Sequence, residues 1–193
     1  MHTPTHLLIG AAVLARPQRP WSGAAALAGA FLPDLPMFVM YGWARFVAGL
    51  GDRDIWPEPD GLYWQPLWQT WTNAGHSLPL FIAVLAVAML VKLDWLKIFA
   101  LSGLLHIAFD FPVHREDGHA HLWPFSNWKF VSPVSYWDVD HYGAYVGPIE
   151  LAIVIGTIVV LWRRYVSWVV RSALGVALLT FVAVPAYFIL THH

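Results

Sequence analysis

Residues 76–113, HSLPLFIAVLAVAMLVKLDWLKIFALSGLLHIAFDFPV, decide the fold. Two apolar runs, 76–94 and 95–113, meet at a polar turn holding Lys92 and Lys97. Each run approaches the about 20 helical residues that cross a hydrocarbon core of about 30 Å. The pair reads as a membrane helical hairpin. Residues 144–162 and 167–190 read as a second one, with Arg163, Arg164 and Arg171 at or near its turn. The stretches 4–15 and 22–33 are apolar but shorter, and Arg16-Pro17-Gln18-Arg19-Pro20 reads as the turn of a third hairpin. Pro33 and Pro36 around Asp34 should end or break the helix there, because proline lacks a donor and crowds the preceding turn. A further apolar piece, 37–50, leads into the loop 51–75. The expected fold is therefore all-α: a polytopic membrane bundle of about three helical hairpins, with four to six membrane helices, forming one integral membrane domain over residues 1–193.

Composition points the same way. Of 193 residues, 58% are hydrophobic and 12% charged, where a soluble domain carries about 25% charged residues. Eleven Lys and Arg stand against 12 Asp and Glu, so no basic surface offers itself to phosphate backbones, and nucleic acid is not an expected partner. The absence of cysteine excludes a disulfide framework, a thiolate metal site and a cysteine nucleophile. No G-x-S-x-G, P-loop or G-x-G-x-x-G pattern occurs. Seven basic residues (Arg16, Arg19, Lys92, Lys97, Arg163, Arg164, Arg171) lie at the tight turns and four (Arg45, Arg53, Arg115, Lys129) on the other side. The positive-inside rule then puts the turns in the cytoplasm and the loops 51–75 and 114–142 outside. Met1-His2 has no basic leader region, so a cleaved signal is not expected. Trp64, Trp68 and Trp71 fall at i, i+4, i+7, as on one face of a helix lying in the headgroup region.

Ten histidines are unexpected in so apolar a chain. His106 and Asp110 in HIAFD are four apart, on one helical face, and together can bind one cation. An ionisable pair inside a membrane segment is costly and marks a functional site. Counting about 1.5 Å per residue from the middle of each cytoplasmic turn places His6 about 19 Å up, Asp34 about 23 Å, His106 about 16 Å, Asp110 about 22 Å and Glu150 about 23 Å, with His76 at about 29 Å. Structural polar residues would have no reason to share a level. The outer loop HREDGHAHLWPF adds His114, His119 and His121. Of these His121 is the expected ligand, since the following LWPF can anchor the loop to the membrane rim. His114, His119 and His141 read as solvated loop residues, and the terminal His192-His193 as a frayed end. His and carboxylate ligands without cysteine suit zinc, with manganese or non-haem iron as alternatives, as one or two ions.

His6, LPD ending at Asp34, GHS at His76, LLHIAFD with His106 and Asp110, and the following LWPF together resemble the bacterial inner-membrane metal-dependent hydrolases, also described as LexA-binding inner-membrane-associated hydrolases. The resemblance covers roughly residues 1–130, and the order of the short motifs is its specific part. It implies a helical protein of the bacterial inner membrane with a hydrolase-like metal site. This chain departs from the family pattern in having one histidine in TNAGHS and in following LPD with Leu35-Pro36. No residue argues for a LexA contact. The order His, Asp, His, His-x-x-x-Asp, His is also similar, more distantly, to zinc-dependent phospholipase C and S1/P1 nucleases, although their closing His-x-x-x-Glu is matched only by His141 and Glu150.

The expected activity is hydrolysis of a phosphoester, of a lipid or lipid-linked phosphate entering from the outer leaflet or of a small molecule. In this reading His6, Asp34, His76, His106, Asp110 and His121 bind metal. Asp34 also bridges ions or acts as general base, and Glu150 completes or orients the shell. Two other readings are a transporter or proton relay using Asp34 and Glu150, and a regulatory membrane protein whose metal is structural.

Overall fold

The computed structural model describes the backbone of residues 1–191 and the side chains of 1–183, so His192 and His193 lie outside the described residues. Among these residues the chain is helical, with no strand beyond an isolated bridge between Arg16 and Arg19. The helices are α1 (Thr3–Leu14), α2 (Pro20–Phe31), α3 (Leu35–Phe46), the single turn α4 (Asp52–Ile55), α5 (Pro66–Gly75), α6 (Leu78–Leu90), α7 (Asp94–Asp110), α8 (Gly143–Arg164) and α9 (Trp168–Thr191). Proline starts most of them. Pro4, Pro20, Pro36, Pro66 and Pro79 stand at the first or second helical position, where a missing N–H costs nothing and φ is already helical.

Helix α7 is the centre of the bundle, packed against α2, α6 and α1, while α1 also lies on α8. Small residues let the first of these contacts close. Ala25, Ala26, Gly29 and Ala30 form the buried face of α2, and Ser102 on α7 donates its hydroxyl to Ala26 O at 2.6 Å. A Cβ on Gly29 would run into the backbone carbonyl of Phe99, so the α2–α7 approach requires glycine there. On the other flank α1, α8 and α9 share a core of Leu8, Ala12, Val154, Ile158, Leu161 and Leu174. Arg164 closes that end by donating to Ala12 O at 2.7 Å and Ala15 O at 2.8 Å, which satisfies carbonyls left free at the end of α1.

The expected hairpin lengths need correction. Among the described residues only α8 is both long and apolar enough to cross a membrane; the pairs α2–α3 and α5–α6 each reach that length together but are bent by 66° and 42°. The runs 76–94 and 95–113 shrink to helices of 13 and 17 residues. Lys92 takes a left-handed φ of 55° that ends α6 early, and α7 stops at Asp110, where the chain turns into the loop. The tryptophan face is also shorter than expected. Trp64 lies in a 3-10 turn ahead of α5 and donates its indole N–H to Trp56 O at 2.9 Å, while Trp68 and Trp71 meet edge to face on α5 itself. The outside of the molecule is rich in apolar side chains, among them Phe46, Leu90 and Val166, each more than four-fifths exposed.

The two bends matter for the site. Asp34 sits at the α2–α3 break and His76 at the α5–α6 break. Both therefore reach the last turn of α7.

Candidate metal centre

The last turn of α7 presents His106 and Asp110 together, with His106 Nε2 2.9 Å from Asp110 Oδ2. Despite that distance the directions do not make a hydrogen bond, and the buried Nε2 has no partner among the described residues. His106 Nδ1 donates to Ala30 O at 2.7 Å, and His76 Nδ1 donates to Thr72 O at 2.9 Å. Each of these bonds places the ring proton on Nδ1, so Nε2 carries a lone pair directed inward. His76 Nε2 is likewise buried and unpartnered. The Nε2 atoms face two carboxylates. His76 lies 3.6 Å from Asp110 Oδ2 and 3.9 Å from Asp34 Oδ1, and His106 lies 3.6 Å from Asp34 Oδ1. Two lone pairs and two anionic oxygens converging in a dry place repel one another unless a cation lies among them.

The spacing fits that cation. Four ligands about 2.1 Å from a tetrahedral ion lie about 3.4 Å from one another, and the separations of 2.9, 3.6, 3.6 and 3.9 Å straddle this value. The ligand atoms of Asp34, His76, His106 and Asp110 all fall within 4.8 Å of one another. Asp34 is held by Thr3, whose hydroxyl donates to Oδ2 at 2.6 Å. That leaves Oδ1 for the cluster.

Asp110 also serves a second group. Its Oδ1 lies 3.3 Å from His114 Nε2, and Asp110, His114 and His119 again offer atoms within 4.8 Å of one another. His114 Nδ1 bonds Asp117 Oδ2 at 3.0 Å, the carboxylate–histidine relay that commonly backs a metal ligand. The amino group of Met1 lies 2.6 Å from Asp110 Oδ1 and 3.2 Å from His114 Nε2, so a positive charge stands beside both. Burial disfavours the charged form of His114, but the carboxylates of Asp110 and Asp117 outweigh it and raise the imidazole to about 9. His119 goes the other way, pushed well below its ordinary value by burial and by the neighbouring His76 and His114. Its ring stacks on His76 at 3.6 Å.

Of the residues expected from sequence, Asp34, His76, His106 and Asp110 come together. His6 is adjacent but outside that group: its Nε2 bonds Asp110 Oδ1 at 2.9 Å and its ring stacks on His106. Its Nδ1 is buried without a partner. His121 belongs to neither group. Its Nδ1 donates to His76 O at 3.1 Å, and its carbonyl accepts from Leu78 N at 2.9 Å. His121 thus ties the outer loop to the start of α6, and His119, two residues earlier, faces the cluster instead.

Glu150 reaches the right level but the wrong side. It is buried and accepts from His2 N at 2.8 Å and from the Thr5 hydroxyl, with His2 Nδ1 3.0 Å away, so it holds the N-terminal segment and belongs to neither cluster. His2 is a residue that the sequence reading passed over. His114 was legible as the third member of an i, i+4, i+8 series with His106 and Asp110, had the helical register been carried past Asp110. His141, by contrast, pairs with Asp138 at 2.6 Å and stays apart from both groups, as a loop histidine should.

A cavity of about 470 Å³ opens over the cluster, with Asp34, His76, His114 and His119 at its floor and Trp56, Tyr63 and Tyr136 among its walls. Its size lies within the range of small-molecule sites. Compared with known proteins, the chain matches no family, no curated protein and no solved structure.

Proposed function

We propose that this protein is a membrane-embedded, metal-dependent hydrolase acting on a phosphoester. The observation that carries the reading is the convergence of the unpartnered Nε2 atoms of His76 and His106 with the carboxylates of Asp34 and Asp110 beneath an open cavity. Zinc best suits two imidazoles and two carboxylates, with manganese or iron as alternatives. A four-ligand site alone would be closed and structural; the second group offers three protein atoms and so leaves a position for water or substrate. A divalent ion in such a place supplies Lewis acidity and lowers the pKa of the water it carries.

The chain's own residues supply the rest. His76 and His106 are locked in the ligating tautomer by Thr72 O and Ala30 O. Asp110 presents one oxygen to each group. Asp34, the least buried of the four, lines the cavity and would act as general base toward a water there. Among the described residues Lys and Arg are absent from the cavity lining, so the phosphoryl charge would be met by the bound ions.

Membrane embedding is supported by the apolar composition, the membrane-length α8, the two bent pairs and the exposed apolar side chains. In this reading the three hairpins sit in the bacterial inner membrane, with the cluster toward the outer side. The test is metal analysis of the purified protein with His106→Ala and Asp110→Ala alongside. Wild type retains stoichiometric zinc or manganese, and both variants lose it. Full activity of metal-free wild type would overturn the reading.

A further inference from the structure

The cavity over the cluster adjoins a second one, of about 530 Å³, lined by Met37, Phe38, Tyr41, Asp52 and Trp56. The two share Met37 and Trp56 as walls. The second cavity runs along α3, whose outward side chains Phe38, Val39, Trp43 and Phe46 are exposed by 45%, 44%, 44% and 89%. Its walls are built ahead of any ligand. Trp56 stacks on Tyr41 at 5.8 Å, follows the fully buried Ile55, and accepts the Trp64 indole N–H on its carbonyl. Asp52 marks the end that faces water, with the Tyr41 hydroxyl 3.5 Å from its carboxylate. Residues that could hold a cation and a partly exposed apolar helix face thus lie on the two sides of a wall that includes a thioether and an indole. An amphiphile has a part suited to each side.

We infer that the substrate carries an alkyl chain, which leaves the cluster cavity between Met37 and Trp56 and lies along α3 while the phosphoester stays over Asp34, His76 and Asp110. This rests on the proposed hydrolase function and adds the substrate class to it. A headgroup cut from its lipid would keep the polar half of the site and lose the apolar half, so chain length should register in KM more than in kcat.

The experiment uses full-length, metal-loaded protein in phosphatidylcholine nanodiscs doped with a phosphatidic acid that carries a diazirine near the end of one acyl chain. Photolysis and peptide mass spectrometry are expected to place the adducts on Phe38, Tyr41 and Trp56. Met37→Trp, which fills the junction, and Phe38→Asp, which makes the groove polar, should each cut those adducts about tenfold while bound metal stays at the wild-type level. Adducts spread evenly over α6, α8 and α9, or adducts at α3 that neither variant reduces, would overturn the inference. Failure of the metal-loaded protein to hydrolyse any phosphoester would count against the hydrolase reading, whereas the adduct map judges the path along α3 by itself.

Discussion

Replacing Asp110 by Asn should remove two ions at once. Asp110 Oδ2 lies 2.9 Å from His106 Nε2 and 3.6 Å from His76 Nε2, and its Oδ1 lies 3.3 Å from His114 Nε2. One carboxylate thus belongs to both ligand groups. Loss of a hydrogen-bonding partner behind a metal ligand already lowers affinity 10- to 100-fold. Loss of the shared anionic ligand should cost at least about 100-fold at each group, or about 2.8 kcal/mol per ion. Asp34→Asn is the matched control, because Asp34 serves the first group only. Zinc titration by calorimetry, with elemental analysis of the desalted protein, should give about two ions per chain for wild type, about one for Asp34→Asn and fewer than about half for Asp110→Asn. Equal losses in the two variants, or a wild type that holds a single ion, would refute the shared-carboxylate reasoning.

Four further outcomes are expected. Thr3→Val, which takes the 2.6 Å hydroxyl from Asp34 Oδ2, should weaken ion binding about 10-fold without unfolding the protein, as read by the same titration. His114 is raised to about 9, so it is protonated at neutral pH and must release that proton to ligate; affinity at its group should rise about tenfold per pH unit up to about 9, with one proton released per ion in two buffers of different ionisation enthalpy. For the metal-free fold the sign is opposite, since stability from the protonated His114 is complete below its ordinary value and fades as pH climbs through about 9, which thermal unfolding against pH would show. Glu150→Leu should lower stability by about 1–3 kcal/mol through the stranded His2 N–H and Thr5 hydroxyl and leave metal content unchanged; loss of metal in that variant would return Glu150 to the ligand shell.

Much of the scaffold was legible because proline and charge punctuate it. The turn Arg16–Pro20 separates α1 from α2, and the break at LPD falls where Pro33 and Pro36 require it. Helix lengths were less so. An apolar run such as 76–94 records which side chains tolerate lipid but not where the backbone leaves the helix, and a left-handed Lys92 is a matter of local turn geometry. In the site, height along a helix could be counted and rotation about it could not. Depth brought His6, Asp34, His106 and Asp110 to a similar level, left His76 higher, and brought Glu150 to that level too, although Glu150 faces the N-terminal segment. The choice between His119 and His121 depended on long-range bonds of the outer loop, Ala120 N to Asn73 Oδ1 and Leu78 N to His121 O, which no local pattern encodes.

The bends in α2–α3 and α5–α6 have a mechanical consequence. Asp34 and His76 occupy the 66° and 42° corners, while their fellow ligands ride on the unbroken α7. An ion gripped by all four would rivet two elbows to a straight strut, so its affinity and the angles of the elbows become conjugate quantities. Linkage makes the exchange symmetric. In the proposed membrane setting, a bilayer thick or thin enough to open the elbows would loosen the ion by the same free energy with which the ion, once seated, would resist that bilayer.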